Sequence, residues 1–389
     1  MSERLEPRRL FNPDRLDAAM DSAGLDGVVA HSKRNFFYLS GFPSLDYLID
    51  AESASYVLVP RDPARQAAVT IGMSERMGLE DYSLWIPDPI LVGRFYIKHG
   101  PTAEFDTAGS SWEGMLLAIR RAGLEQARLG LELEQLPVGL HRRLREELPG
   151  LQVADCSKLL REVRMVKTPE EVWRIRVACE ATEEAIKEAR ARVRPGQTER
   201  EVAQRIAAAM VERGVEVLYV QVATPAVAGL GGPSDRVIEK GDVIRTDVAA
   251  VYQGYHSDLG RGFAVGSATD EQFHYYEVAH QALRAGVDAV RPGVPAEAIF
   301  NSAMRVWKES GHPEVQRHHV GHGLGLQAHE SPMLRPGVST GLEEGMVLAV
   351  EVPCYYYGKG GFAPEDNLVV TTDGSALFTT AESHLPVIA

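Results

Sequence analysis

The chain repeats itself. Residues 180–196 read EATEEAIKEARARVRPG and residues 277–293 read EVAHQALRAGVDAVRPG, 97 residues apart and with the same Val-Arg-Pro-Gly ending. In each copy a helix-forming run meets Pro-Gly, which stops it. A second helix then restarts, at Thr198 with Glu201 completing a capping box, and at Val294-Pro295, where proline suits a first helical turn. Acidic pairs follow in step: Asp247 and Asp258 trail the first copy, Glu351 and Glu365 the second, at offsets of 104 and 107 residues. Chance produces a four-residue match easily, but it does not also align two acidic pairs. The pattern predicts two βα-type halves forming a pseudo-twofold sheet, with helices behind it and a shared centre between the halves.

The acidic pairs sit in hairpin-like segments. Thr246 to Asp258 is two β-rich runs around a Gln253-Gly254 turn, and a hairpin of that length brings both carboxylates to one side of a sheet. Glu351 ends the apolar strand Met346–Val350, and Glu365 precedes the strand Asn367–Thr371, which makes a second hairpin with a second acidic pair. His322 lies in Gly-His-Gly-Leu-Gly, where glycines let the backbone come close to an ion and leave the imidazole free. Together Asp247, Asp258, His322, Glu351 and Glu365 read as the ligands of a two-metal hydrolytic site. Carboxylates between two cations screen their repulsion, and four carboxylates with one histidine suit Mn, Co, Fe or Zn. Lowering the pKa of a water from its bulk value to roughly 7 eases deprotonation by on the order of 12 kcal/mol. Taken singly, each residue has a plainer reading: a chance Asp-x10-Asp, a structural histidine in a glycine-rich turn, two solvated strand ends. Their joint order, each inside a longer motif, favours the site.

Those longer motifs resemble the pita-bread (M24) metallopeptidase family of methionine aminopeptidases, Xaa-Pro aminopeptidases, prolidases and metal-free creatinases. The matching pieces are Arg164-Met-Val-Lys167 with Glu170-Glu171, Gly196-Gln-Thr-Glu199, Lys240-Gly-Asp242, Asp247 to Asp258, His322-Gly-Leu-Gly with His329-Glu-Ser-Pro332, Glu351, and Glu365-Asp366 with Val369-Val-Thr371. The resemblance implies that the five residues are metal ligands, with Asp258 and Glu365 bridging. It further implies that Glu351 handles the proton of the nucleophilic water and that His329 holds the substrate carbonyl and the developing oxyanion. Further upstream, Asn12-Pro13-Asp14 caps a helix running to about Ala23, and Gly27–Ala30 reads as a buried strand. Asn35-Phe-Phe-Tyr-Leu-Ser-Gly41 resembles a stretch of the creatinase-type N-terminal domain, with Phe36, Phe37 and Phe42 read as core aromatics. The single-domain methionine aminopeptidases are disfavoured.

The departures fall on the substrate side. Leu230 stands where prolidases and Xaa-Pro aminopeptidases usually carry a histidine, Ala363 where they carry an arginine two residues before the last glutamate, and Glu351-Val-Pro353 replaces Glu-Pro. No metal ligand is lost. His256, His318 and His319 are candidates for the missing donor, and His318, four residues before His322, is the preferred one, alongside His329 and Glu351 as catalytic residues.

A chain of 389 residues is too long for one ordinary core. The expected division is a creatinase/prolidase-type N-terminal domain over 1–160 and a pita-bread catalytic domain over 161–389, both α/β (α+β overall). A net charge of −13 with no Lys/Arg run argues against nucleic acid. Three scattered cysteines suggest a reducing compartment, and no apolar run approaches 18 residues, so a soluble cytoplasmic protein without a membrane partner is expected. The resulting expectation is a homodimeric hydrolase with two divalent ions per chain, cutting Xaa-Pro dipeptides or the N-terminal Xaa-Pro bond of short peptides. The alternatives are a creatinase-like C–N hydrolase or lyase acting on a small metabolite, and a non-catalytic peptide-binding pseudoenzyme.

Overall fold

Helix caps written in the sequence start most of the helices of this chain. The computed structural model describes residues 9–45, 47, 55–80, 84–93, 105–229 and 231–388, and the chain divides into two units, Met1–Arg164 and Met165–Ala389.

In the first unit, α1 (Pro13–Ser22) opens with the Asn12 side chain accepting from the Arg15 amide. Apolar runs form β1 (Gly27–Ala30), β2 (Val57–Pro60), β3 (Ala68–Gly72), β4 (Ile90–Val92), β5 (Thr107–Ala108), β6 (Arg128–Leu131) and β7 (Gln152–Asp155), in the order β5-β4-β3-β2-β1-β6-β7. The β1–β2 and β2–β3 pairs are antiparallel and the others parallel. Val29, Leu58, Ile90, Leu129 and Leu131 from the sheet pack with Met115 and Ile119 from α3 (Ser111–Arg121) and Leu144 from α4 (Val138–Glu147), and α5 (Ser157–Met165) follows β7. The Asn35 motif forms α2 (Lys33–Ser40), ended by Gly41 at φ 77°. Phe36 and Phe42 are core residues, as expected, while Phe37 is half-buried. Asn35 itself donates to buried Glu132 at 2.5 Å, and Glu132 also accepts from the His31 and Ser32 amides. The motif's asparagine therefore has a local structural reason.

The second unit carries the repeat. Its first half has α6 (Pro169–Ala191), α7 (Glu199–Glu212) and a sheet of β8 (Glu216–Ala223), β9 (Val243–Tyr252), β10 (Tyr255–His256), β11 (Leu259–Val265) and β19 (Val387–Ile388). The second half has α8 (Asp270–Asp288), α9 (Ala296–Glu309) and a sheet in the order β13 (Glu330–Met333), β12 (Gly321–Gly323), β14 (Val347–Glu351), β17 (Glu365–Val370), β18 (Ser375–Leu377). The connection from β14 to β17 carries a small ribbon of β15 (Cys354–Tyr356) and β16 (Gly360–Phe362), whose Cys354 and Phe362 join the core. Thr198 and Glu201 form the expected capping box, Thr168 and Glu171 another, and Pro295 starts α9 without a side-chain cap. Ile186, Ile206 and Met210 meet Ile244, Val248 and Phe263 in one half; Leu283, Ile299 and Trp307 meet Leu348 and Val350 in the other. Full burial of each such side chain contributes roughly 1.5–3 kcal/mol. Cys156, Cys179 and Cys354 are free and buried. Among the described residues no helix is long and apolar enough to cross a membrane.

Candidate metal centre

Gln253 at φ 47° and Gly254 at φ 86° make the two-residue turn that places Tyr252 opposite Tyr255. Further along the hairpin Asp247 faces Gly260. Asp258 lies two residues before Gly260 and so shares that face. In the other half Glu351 stands directly opposite Glu365, and His322 opposite Ala349, two residues from Glu351. Gly321 and Gly323 in the His322 motif are required by strand packing: a Cβ there would meet Ala349 O at 2.1 Å and Ser331 O at 2.2 Å. The halves are joined under the site. Asn367 accepts from the Asp258 amide at 3.1 Å and donates to its carbonyl at 2.6 Å, and the Cys179 thiol donates to Asn367 Oδ1 at 2.9 Å. Buried Arg261 donates to the carbonyls of Gly260 and Glu365 and to the carboxylates of Glu183 and Asp366.

Two trios of donors result, sharing Asp258. Ligand atoms of Asp247, Asp258 and Glu365 lie within 4.8 Å of one another, and so do those of Asp258, His322 and His329. Glu351 belongs to neither trio; its Oε1 is 3.3 Å from His319 Nδ1 and its Oε2 3.4 Å from Arg317 Nη2. His329 stacks on His322 at 3.9 Å with its Nε2 3.8 Å from Asp258 Oδ2. The exposed His318 is turned to Arg335, whose Nη1 is 3.2 Å from its Nε2, and His256 Nδ1 meets Gly325 O at 3.1 Å. Of the three histidines weighed as substitutes for the missing donor, it is His319 that reaches Glu351. Leu230 lies outside the described residues, and Ala363 is buried.

The proton positions favour a cation. His322 Nδ1 donates to Gly323 O at 3.1 Å, so its bare Nε2 is the nitrogen aimed at Asp258 Oδ2, 3.7 Å away. Burial, with His329 beside it, lowers the His322 pKa to about 3 and keeps it neutral. This is the arrangement of a metal-binding imidazole, with the other ring nitrogen tied to a carbonyl. His319 Nδ1 accepts from the Gly321 amide at 3.2 Å, and burial together with Arg317 lowers its pKa to about 4. Its close approach to Glu351 is therefore between two acceptors and not an ion pair. Burial and then neighbouring carboxylates push Asp258 and Glu365 well above the ordinary carboxylate range. Asp247 Oδ1 is buried without a hydrogen-bond partner. Clustered buried carboxylates, a bare imidazole nitrogen and an orphaned oxygen together fit divalent cations.

The model of metallopeptidase family M24 matches residues 174–372, and that of the creatinase/prolidase N-terminal domain matches residues 13–166. The Xaa-Pro dipeptidase of Pyrococcus furiosus is 34% identical over 389 residues, covering 99% of this chain and 100% of that protein. This chain belongs to metallopeptidase family M24. The prolidase structure from Pyrococcus horikoshii superposes with TM-score 0.78 at 27% identity, over 95% of this chain and 98% of that one. The Xaa-Pro dipeptidase structure from Bacillus anthracis gives 0.80 at 25%, over 97% and 99%. The fold is accordingly the pita-bread fold with a creatinase-type N-terminal domain, and the chain is a metal-dependent peptidase.

Several residues of this M24 site escaped the sequence reading. Tyr219, from β8, donates to Asp258 Oδ1 at 2.5 Å, and Arg245, from β9, donates to Asp247 Oδ2. Burial and then Asp258 raise the Tyr219 pKa, so its hydroxyl keeps the proton it donates. Arg317 and Arg245 both lie close to Tyr355, 5.6 and 5.3 Å from its ring. A usable signal existed for Arg245 alone: two residues before Asp247 in one strand, it must share that residue's face.

Proposed function

We propose that this M24 peptidase is a two-metal Xaa-Pro dipeptidase. The observation that carries the reading is the Asp247, Asp258 and Glu365 cluster together with the bare Nε2 of neutral His322, 3.7 Å from Asp258 Oδ2. In this reading Asp247, Asp258, His322, Glu351 and Glu365 would hold two divalent ions. Bound there, the ions supply Lewis acidity toward a water and a peptide carbonyl. Glu351 lies on the same sheet face as Glu365 and receives the proton of the attacking water. Exposed His329, its pKa lowered by partial desolvation, offers an N–H to the carbonyl oxygen as charge develops on it. Arg317, which donates to Glu351 Oε2, holds that carboxylate's orientation. His318, turned to Arg335, stands one step further from the reaction than the sequence suggested.

The names of the Pyrococcus and Bacillus relatives support a substrate with proline in second position, and the complete ligand set weighs against a pseudoenzyme. A cytoplasmic homodimer accompanies the proposal. The test is turnover by the Mn-, Co- or Zn-loaded protein of Xaa-Pro dipeptides, longer Xaa-Pro peptides and small amides. Preference for dipeptides is expected. Turnover of small amides alone would favour the creatinase-like alternative.

A further inference from the structure

The catalytic unit is built from two sheets that share no strand pairing. Among the described residues no strand of the sheet holding β9 and β11 is paired with a strand of the sheet holding β12, β14 and β17. At the seam, where β11 comes beside β17, one side chain makes the missing bonds. Asn367 accepts from the Asp258 amide at 3.1 Å and donates to the Asp258 carbonyl at 2.6 Å. That is the two-bond exchange made by directly opposed residues of antiparallel strands. The carboxamide thus does for Asp258 what a peptide unit of an adjacent strand would do. It is fully buried, and the Cys179 thiol of α6, kept protonated by burial, donates to its Oδ1 at 2.9 Å. The reverse setting of the amide would put donor against donor and acceptor against acceptor, so its orientation is fixed from two elements.

His322, Ala349 and Asn367 lie on one rung across β12, β14 and β17, and Glu365 stands two residues before Asn367. Their side chains therefore leave the sheet on one face. Asp258, seated on the Asn367 carboxamide, is brought to that face from the other sheet. We propose that Asn367 is a positioning residue of the metal centre, setting Asp258 against Glu365 and His322 before any ion binds. This rests on the two-metal reading above. Carboxylates as close as those of Asp247, Asp258 and Glu365 repel one another when charged, so without a cation the site tends to spread unless its parts are held. Tyr219 holds the Asp258 carboxylate, and Asn367 holds its main chain. Both main-chain bonds need a carboxamide. Leucine, of nearly the same volume, makes neither.

The experiment strips the full chain with chelator and titrates it with Co²⁺, following the heat of binding and the visible absorption of the bound ion. Melting of the stripped protein is recorded alongside. Wild type is expected to bind Co²⁺ at the centre. Asn367→Leu should bind it about 10–100-fold more weakly, the scale for losing an outer partner of a metal ligand. Excess Co²⁺ should then restore the wild-type spectrum, because every ligand is still present. Asn367→Ala, which cannot overfill the site, should follow Asn367→Leu and decides the matter if the leucine variant does not fold. Cys179→Ala leaves both Asp258 bonds in place and should stay close to wild type. Lower melting of the Asn367 variants with unchanged Co²⁺ affinity would show that Asn367 only braces the fold, overturning the inference and leaving the functional reading standing. A loss in Cys179→Ala as large as in Asn367→Leu would trace the effect to packing and also overturn it. A wild type that binds no Co²⁺ takes down both.

Discussion

Glu171 gives the sharpest stability test of this structure. It is buried in the first turn of α6, where it accepts from the Thr168 amide at 2.8 Å and from the Tyr255 hydroxyl at 3.1 Å. It thereby ties that helix to the hairpin bearing Asp247 and Asp258. Burial raises its carboxyl from 4.5 to about 7. Because the folded value lies above the unfolded one, the stability contributed by the neutral form is fully present below about pH 4.5 and lost as pH rises through 7. The gap corresponds to about 3 kcal/mol at pH 8. Glutamine caps a helix as glutamate does and still pairs with the Tyr255 hydroxyl, so Glu171→Gln removes the ionisation while keeping both hydrogen bonds. For a catalytic unit of this size 1 kcal/mol moves Tm by about 2–4 °C, so the variant should melt up to roughly 6–12 °C above wild type at pH 8 and close to it at pH 5. Scanning calorimetry at both pH values decides the matter. Parallel wild-type and variant profiles between pH 5 and 8 would refute the reasoning.

Four further outcomes are expected. Lys167 and Glu330 are a buried pair 3.3 Å apart, so Lys167→Met should cost about 3–5 kcal/mol by urea unfolding, and adding Glu330→Gln should recover most of that loss. His329→Ala should leave metal content unchanged, while kcat in a dipeptide assay falls by about 10²-fold or more. Arg317→Met, which removes the donor to Glu351, should lower kcat, whereas His318→Ala should leave it near wild type; the reverse order would restore His318 to the role the sequence suggested. Light scattering should report a homodimer.

What was legible in the sequence was local or periodic. The two helix pairs were visible because Val-Arg-Pro-Gly stops and the Thr198–Glu201 cap act within a few residues. The hairpins were visible because Gln253-Gly254 has the chemistry of a tight turn. The bringing together of Asp247, Asp258 and Glu365 followed from placing two such hairpins about one centre. What was not legible depends on which side chain crosses between strands. Tyr219 reaches Asp258 from β8, 39 residues away, and Asn367 exchanges hydrogen bonds with Asp258 across 109 residues. No spacing rule announces either. The choice between His318 and His319 turned on the bends at 318 and 320: His318 is turned to Arg335 and His319 Nδ1 comes within 3.3 Å of Glu351 Oε1.

The central claim is that two ions share Asp258, and metal content measured in the wild type and in Asp258→Asn tests it most directly. After loading with Mn, Co or Zn and removal of free metal, the wild type should hold two equivalents per chain. Asp258→Asn should hold neither ion firmly, since one carboxylate belongs to both trios. A wild type holding less than half an equivalent with full peptidase activity, or an Asp258→Asn variant that keeps two, would contradict the account.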